Sequence, residues 1–144
     1  MADTADVLVV ANQTAESDEL LEALRQRAER GACKFHLLVP ATAHGASWAM
    51  DMHSGGEEAE AHLKRAVERY REAGLEVDDG KIGDPDPLAA VQDAANFKDF
   101  DEIIVSTLPT KVSKWLKLDL PHRVEHATGK PVTHVEASSV KVET

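Results

Sequence analysis

Three lysines recur at three-residue spacing in a stretch of this chain that holds no acid. Lys111, Lys114 and Lys117 lie between Ile103 and Leu118, together with the hydroxyls of Ser106, Thr107, Thr110 and Ser113. Hydroxyls, free backbone N–H groups and ammonium groups at the end of a strand can hold an anion such as a phosphate. The same lysines also suit the solvated face of an amphipathic segment, opposite Val112, Trp115 and Leu116. Asn12 stands just past the first apolar run. Its amide suits a hydrogen bond to a base or a ribose as well as it suits a turn.

The histidines say less. His122 and His126 are four residues apart, a helical spacing that can chelate a metal. No Glu follows His122, so the zinc-protease signature is absent and the two read as a surface pair. His44 and His53 lie near Asp51 without ligand spacing. Cys33 is the only cysteine, which leaves no disulfide within one chain and no cysteine zinc site; it reads as a small buried apolar residue. The chain contains no GxxxxGK[ST], no GxGxxG and no GxSxG. No nucleophile stands near a base in sequence, so the protein is expected not to be catalytic. Slow ATP hydrolysis is the one enzymatic option, with Asp84 its only nameable residue.

These side chains need elements to position them. Val7 to Ala11 is a continuous apolar run, as in a strand covered on both faces. Residues 15–30 read as a helix with Leu20, Leu21, Leu24 and Ala28 inward. Phe35 to Val39 reads as a second strand. Residues 40–55 follow neither period and form a long loop. Ser54 and Glu57 suggest a capping box for a helix whose apolar face is Ala59, Leu63, Ala66, Val67 and Tyr70. Leu75 to Ile82 reads as strand three. Asp86 and Pro87 open a helix with Leu88, Val91 and Ala95 inward. Glu102 to Ser106 is strand four. Leu120, Val124 and Ala127 mark a last helix stopped by Gly129, and Pro131 to Glu136 is the last strand, before a polar tail at 137–144. Alternation of this kind predicts a doubly wound α/β domain: a five-stranded parallel sheet with helices on both faces, Rossmann-like, and one domain over 1–144.

Composition narrows the partners. Lys plus Arg number 16 and Asp plus Glu 26, a net charge of −10. Nucleic acid and anionic membrane surfaces both demand a positive face, so neither is an expected partner. No apolar run is long enough to span a bilayer, and the opening MADTAD has no secretory pattern. A cytoplasmic location is expected.

In order and spacing, the chain resembles the universal stress protein family from Asp6 to about Val135. The likeness rests on VLVVA in strand one, the long loop after strand two, Ala73-Gly74-Leu75-Glu76-Val77 and Gly83-Asp84-Pro85. It continues through Phe100-Asp101-Glu102-Ile103-Ile104-Val105-Ser106-Thr107 and Arg123-Val124 with Gly129-Lys130-Pro131-Val132. The resemblance implies strand order 3-2-1-4-5 and a homodimer paired through the last strand. It also implies stress regulation and, in many members, bound ATP. The nucleotide site so implied comprises Ala11, Asn12, the main chain near Val39, and Ser106, Thr107, Thr110, Lys111, Ser113 and Lys114. Members that bind ATP carry a loop of form G-x2-G-x9-G-[ST] after strand four. Its first two glycines fall here on Thr107 and Thr110, and its last on Leu118 to Pro121, beside Asp119. Glycine lets the backbone approach phosphate closely, so these replacements cost phosphate affinity. The expectation is a regulatory or interaction protein with a degenerate nucleotide site. The alternative is an adenine-nucleotide binder that uses the 106–114 loop.

Overall fold

The structure is a computed structural model that describes residues 4–11, 14–40, 52–84, 86–107 and 119–136, with the backbone alone over 52–59. In chain order its elements are β1 Ala5–Val10, α1 Asp18–Glu29, β2 Cys33–Pro40 and α2 Met52–Glu72. Then follow β3 Lys81–Gly83, α3 Pro87–Phe97, β4 Glu102–Thr107, α4 Leu120–Thr128 and β5 Val132–Glu136. The strands form one sheet in the order β3-β2-β1-β4-β5. Every neighbouring pair is parallel. The expected strand order is therefore observed.

Alternation along β1 divides the core in two. Val7 and Val9 face Leu20 and Leu24 of α1 and Leu63, Ala66, Val67 and Tyr70 of α2. Leu8 and Val10 face Ala90 and Val91 of α3 and Leu120 and Val124 of α4. Both sets are buried, which is why β1 reads as an unbroken apolar run. Tyr70 is fully buried and donates its hydroxyl to the Ala15 carbonyl at 2.6 Å, fastening α2 to the entry of α1. Burial first, and then the negative charge of Glu16, push this phenol well above its ordinary pKa, so it stays a donor.

Local chemistry sets the helix ends. The Ser17 hydroxyl accepts from the Leu20 N–H at 3.1 Å, and Asp18 and Glu19 sit at the positive end of α1. Asp86 caps α3 in the same way through the Leu88 N–H, with Pro87 in the first turn as expected. Gly129 closes α4 in the left-handed conformation, at φ 72°.

Three expectations need correction. The α2 backbone winds from Met52, so Ser54 lies inside the helix and cannot be its cap. The span 75–82 is not one strand. Val77 makes an isolated bridge to Phe35, and the chain then leaves the sheet until Lys81. A turn takes over here: the Asp78 carboxylate accepts from the Gly80 N–H, Gly80 sits at φ +77°, and Arg71 holds the Val77 carbonyl. On α3 the inward residues are Ala90, Val91 and, partly, Leu88 and Ala94. Ala95 is exposed, a step of about 100° round the helix from Ala94. The expected amphipathic segment at 112–116 falls wholly outside the described residues, as do residues 41–51 of the expected loop at 40–55. Among those described, no helix is long and apolar enough to cross a membrane.

Candidate functional site at the strand ends

From β1 the chain winds one way to β2 and β3, then crosses to β4 and β5 on the other side. The reversal falls between β1 and β4. In an open α/β sheet that is where the two following loops diverge and leave a crevice for a ligand.

The structure describes four of the sequence-derived site residues, Ala11, Ser106 and Thr107 at the ends of β1 and β4, and Val39 one strand away at the end of β2. Ala11 and Val39 are buried, and the Ala11 N–H donates to the Leu38 carbonyl at 3.2 Å. Ser106 and Thr107 end β4 and are 1% and 2% exposed. Asn12, Thr110, Lys111, Ser113 and Lys114 lie outside the described residues, as does Lys117.

The buried hydroxyls already have partners. Ser106 Oγ lies 2.6 Å from Thr14 Oγ1, and Thr14 is itself 2% exposed. This hydroxyl pair joins the residues following β1 to the end of β4, across the floor of the crevice. Thr107 Oγ1 lies 2.8 Å from His134 Nε2 on β5. A hydroxyl beside an imidazole is the arrangement that activates a nucleophile. Thr107 is too buried for a substrate to reach, so here the contact ties β4 to β5. Thr14 was not singled out in the sequence. The only signal was a polar residue placed where the fold buries the loop.

A second polar cluster, with no local signal in the sequence, lies toward the amino ends of the strands. His36 projects from β2 with Nε2 at 2.9 Å from Asp6 Oδ1 and Nδ1 at 2.7 Å from Asp78 Oδ2. Its ring meets Phe100 edge-on at 5.3 Å between centroids. Lys98 Nζ stands 3.6 Å from Asp6. Asp6 and Asp101 exchange two 2.8 Å bonds, Asp101 N–H to the Asp6 carbonyl and Asp6 N–H to the Asp101 carboxylate. Burial acts to raise the Asp6 pKa, but the His36 hydrogen bond and the Lys98 charge outweigh it and hold the carboxyl below its ordinary value. This cluster joins β1, β2 and the approach to β3, far from the crevice. It is a structural clamp.

The strand order is that of the first five strands of a dinucleotide-binding fold, with the crevice in the corresponding place. These features define a doubly wound α/β domain. Solved structures of the same architecture exist. A universal stress protein from Archaeoglobus fulgidus superposes with a TM-score of 0.65 at 18% identity, over 91% of this chain and 93% of that one. A universal stress protein in complex with cAMP gives 0.62 at 16% identity, over 95% and 100%. A universal stress protein family protein from Arabidopsis thaliana with AMP bound gives 0.63 at 15% identity, over 93% and 92%. No protein-family model matches the chain, and no curated protein sequence does. At these identities the shared feature is the fold.

Proposed function

We propose that this protein is a universal-stress-type regulatory or interaction protein whose nucleotide site has degenerated. In this reading it acts in the cytoplasm as a homodimer paired through β5 and turns over no substrate. The observation that carries the reading is the Thr14–Ser106 pair. The hydroxyls best placed for a ligand are buried and bonded to each other or, through Thr107, to His134. The absence of glycine at Thr107 and Thr110, and Asp119 beside the same loop, point the same way. The outer side of β5, which pairs only with β4 among the described strands, suits pairing with a second copy.

A second reading has its own support. Two structures of this fold hold cAMP and AMP. Here the crevice would take an adenine nucleotide against Asn12 and the main chain near Val39, with its phosphates on Thr110, Lys111, Ser113 and Lys114.

Mass spectrometry of small molecules released from the purified protein, followed by calorimetric titration with ATP and magnesium, separates the two. The degenerate site predicts no adenine nucleotide carried through purification and no saturable heat at micromolar ligand. Bound nucleotide, or micromolar affinity lost on Lys111→Glu or Lys114→Glu, establishes the second reading instead. Light scattering is expected to give twice the 15.6 kDa chain mass, and a species of 15.6 kDa at micromolar concentration would reject the dimer.

A further inference from the structure

A groove of about 430 Å³ opens between α3 and α4, lined by Leu88, His122, Arg123, His126 and Ala127. It is distinct from the crevice between β1 and β4 and has no part in the proposed nucleotide site. Two of its five lining residues are imidazoles one helical turn apart. Side chains at this spacing share a face, with Cβ atoms about 5–6 Å apart. That is the geometry by which two histidines of one helix grip a single ion.

Asp119 orients the first of them. Its Oδ2 lies 3.2 Å from His122 Nδ1. An ionised carboxylate only accepts, so Nδ1 carries the hydrogen and the Nε2 lone pair is left for a ligand. A carboxylate behind the ring fixes its tautomer and orientation in the same way in metal sites generally. The His122 side chain is 72% exposed, so an ion reaches it from solvent. His126 has no hydrogen bond or ion pair among the described residues.

We propose that His122 and His126 form a two-histidine site for a divalent first-row transition ion, with Asp119 as its positioning residue. Imidazole pairs suit copper, nickel and zinc, and copper binds tightest in the usual order. Solvent completes the coordination, since no group of three or more His, Cys, Asp or Glu side chains forms a metal cluster among the described residues. The Arg123 guanidinium lines the same groove and opposes a bound cation, so its removal is expected to strengthen binding.

The test is titration of the untagged full-length chain with copper(II), followed by calorimetry and electron paramagnetic resonance. The expected result is one ion per chain with two imidazole nitrogens in the spectrum. His122→Gln and His126→Gln should each weaken binding at least tenfold, and Asp119→Asn by about tenfold, near the usual cost of losing an outer-shell partner. Arg123→Gln should tighten it. All four positions are exposed, so unchanged melting curves verify that the variants fold. Lack of equimolar binding, or binding that survives either histidine substitution, overturns the proposal. So does weakening by Arg123→Gln, because loss of a neighbouring positive charge should not weaken a cation held by the two imidazoles.

Discussion

His36→Leu should destabilise the protein by about 2–3 kcal/mol, below the roughly 3–5 kcal/mol of a fully buried broken pair because the partners are partly wet. The Asp6 side chain is 27% exposed and that of Asp78 37%, against 13% for His36. In a chain of this size such a loss lowers the melting temperature by roughly 8 °C. Leucine fills much of the space, so the cost is that of two carboxylates that lose their shared imidazole, Asp6 keeping only the Lys98 ammonium and Asp78 only the Gly80 N–H. The triple variant Asp6→Asn, His36→Leu, Asp78→Asn should recover part of the loss, because it removes the charges along with their partner. A single variant within about 0.5 kcal/mol of the parent would show that the clamp carries no weight.

The same cluster sets an acid limit. The native Asp6 carboxyl titrates below its ordinary value near 3.8. A depressed carboxyl adds stability that is fully present above the unfolded-state value. That part is lost as pH falls through the native one. Stability measured from pH 6 downward should therefore decline as pH drops below about 4, and Asp6→Asn should flatten that part of the decline.

Gly83→Val should cost about 3 kcal/mol, at the upper end of the range for overpacking a core. A Cβ at Gly83 would stand 2.9 Å from the Ala90 Cβ and 2.9 Å from Leu38 Cδ1. The leucine methyl can turn away, but the Ala90 Cβ is fixed to the α3 backbone, so the helix must move off the sheet. Gly83→Ala and Ala90→Gly test this as a double-mutant cycle. The double variant should be more stable than the sum of the singles by at least 0.5 kcal/mol, the lower bound for residues in contact. Strict additivity would place the conflict elsewhere.

What was legible in the sequence was what a few neighbouring residues decide. Asp86 with Pro87, and Gly129 after Thr128, mark helix ends through contacts within one turn, and they do so in the structure. The buried central strands show as unbroken apolar runs. The failures share a cause. Leu75 and Val77 look like strand residues because both are buried, at 8% and 6%, yet the Leu75 N–H turns back to the Tyr70 carbonyl, Val77 makes a single bridge to Phe35, and the Asp78–Gly80 turn follows at once. Thr14 and Ser106 are 92 residues apart, and His36 meets its two acids across 30 and 42 residues. Such pairs exist only once the strands are in register, and no local pattern encodes them. Of the candidate site, Ser106 and Thr107 end β4 as the apolar run before them implied. Their hydrogen-bond partners, Thr14 and His134, were not legible, because they come from parts of the chain that only the folded sheet brings near.

The central position of β1 has a consequence for the nascent chain. Its first partner, β2, arrives within about thirty residues, but β4 pairs Glu102 with Val7 only after most of the polypeptide has been made. Leu8, Val10 and Leu38 are covered by α3 and α4, which also emerge late. A chain stalled halfway through synthesis thus has β1–β2 partners and the α1–α2 cover available, while its other apolar sheet face stays bare. Such half-dressed intermediates are prone to aggregation. Closing so long a loop costs only slightly more free energy than closing a shorter one, though it slows the search. Delay in reaching β4, more than any weakness of the finished fold, is where this protein is most exposed to misassembly.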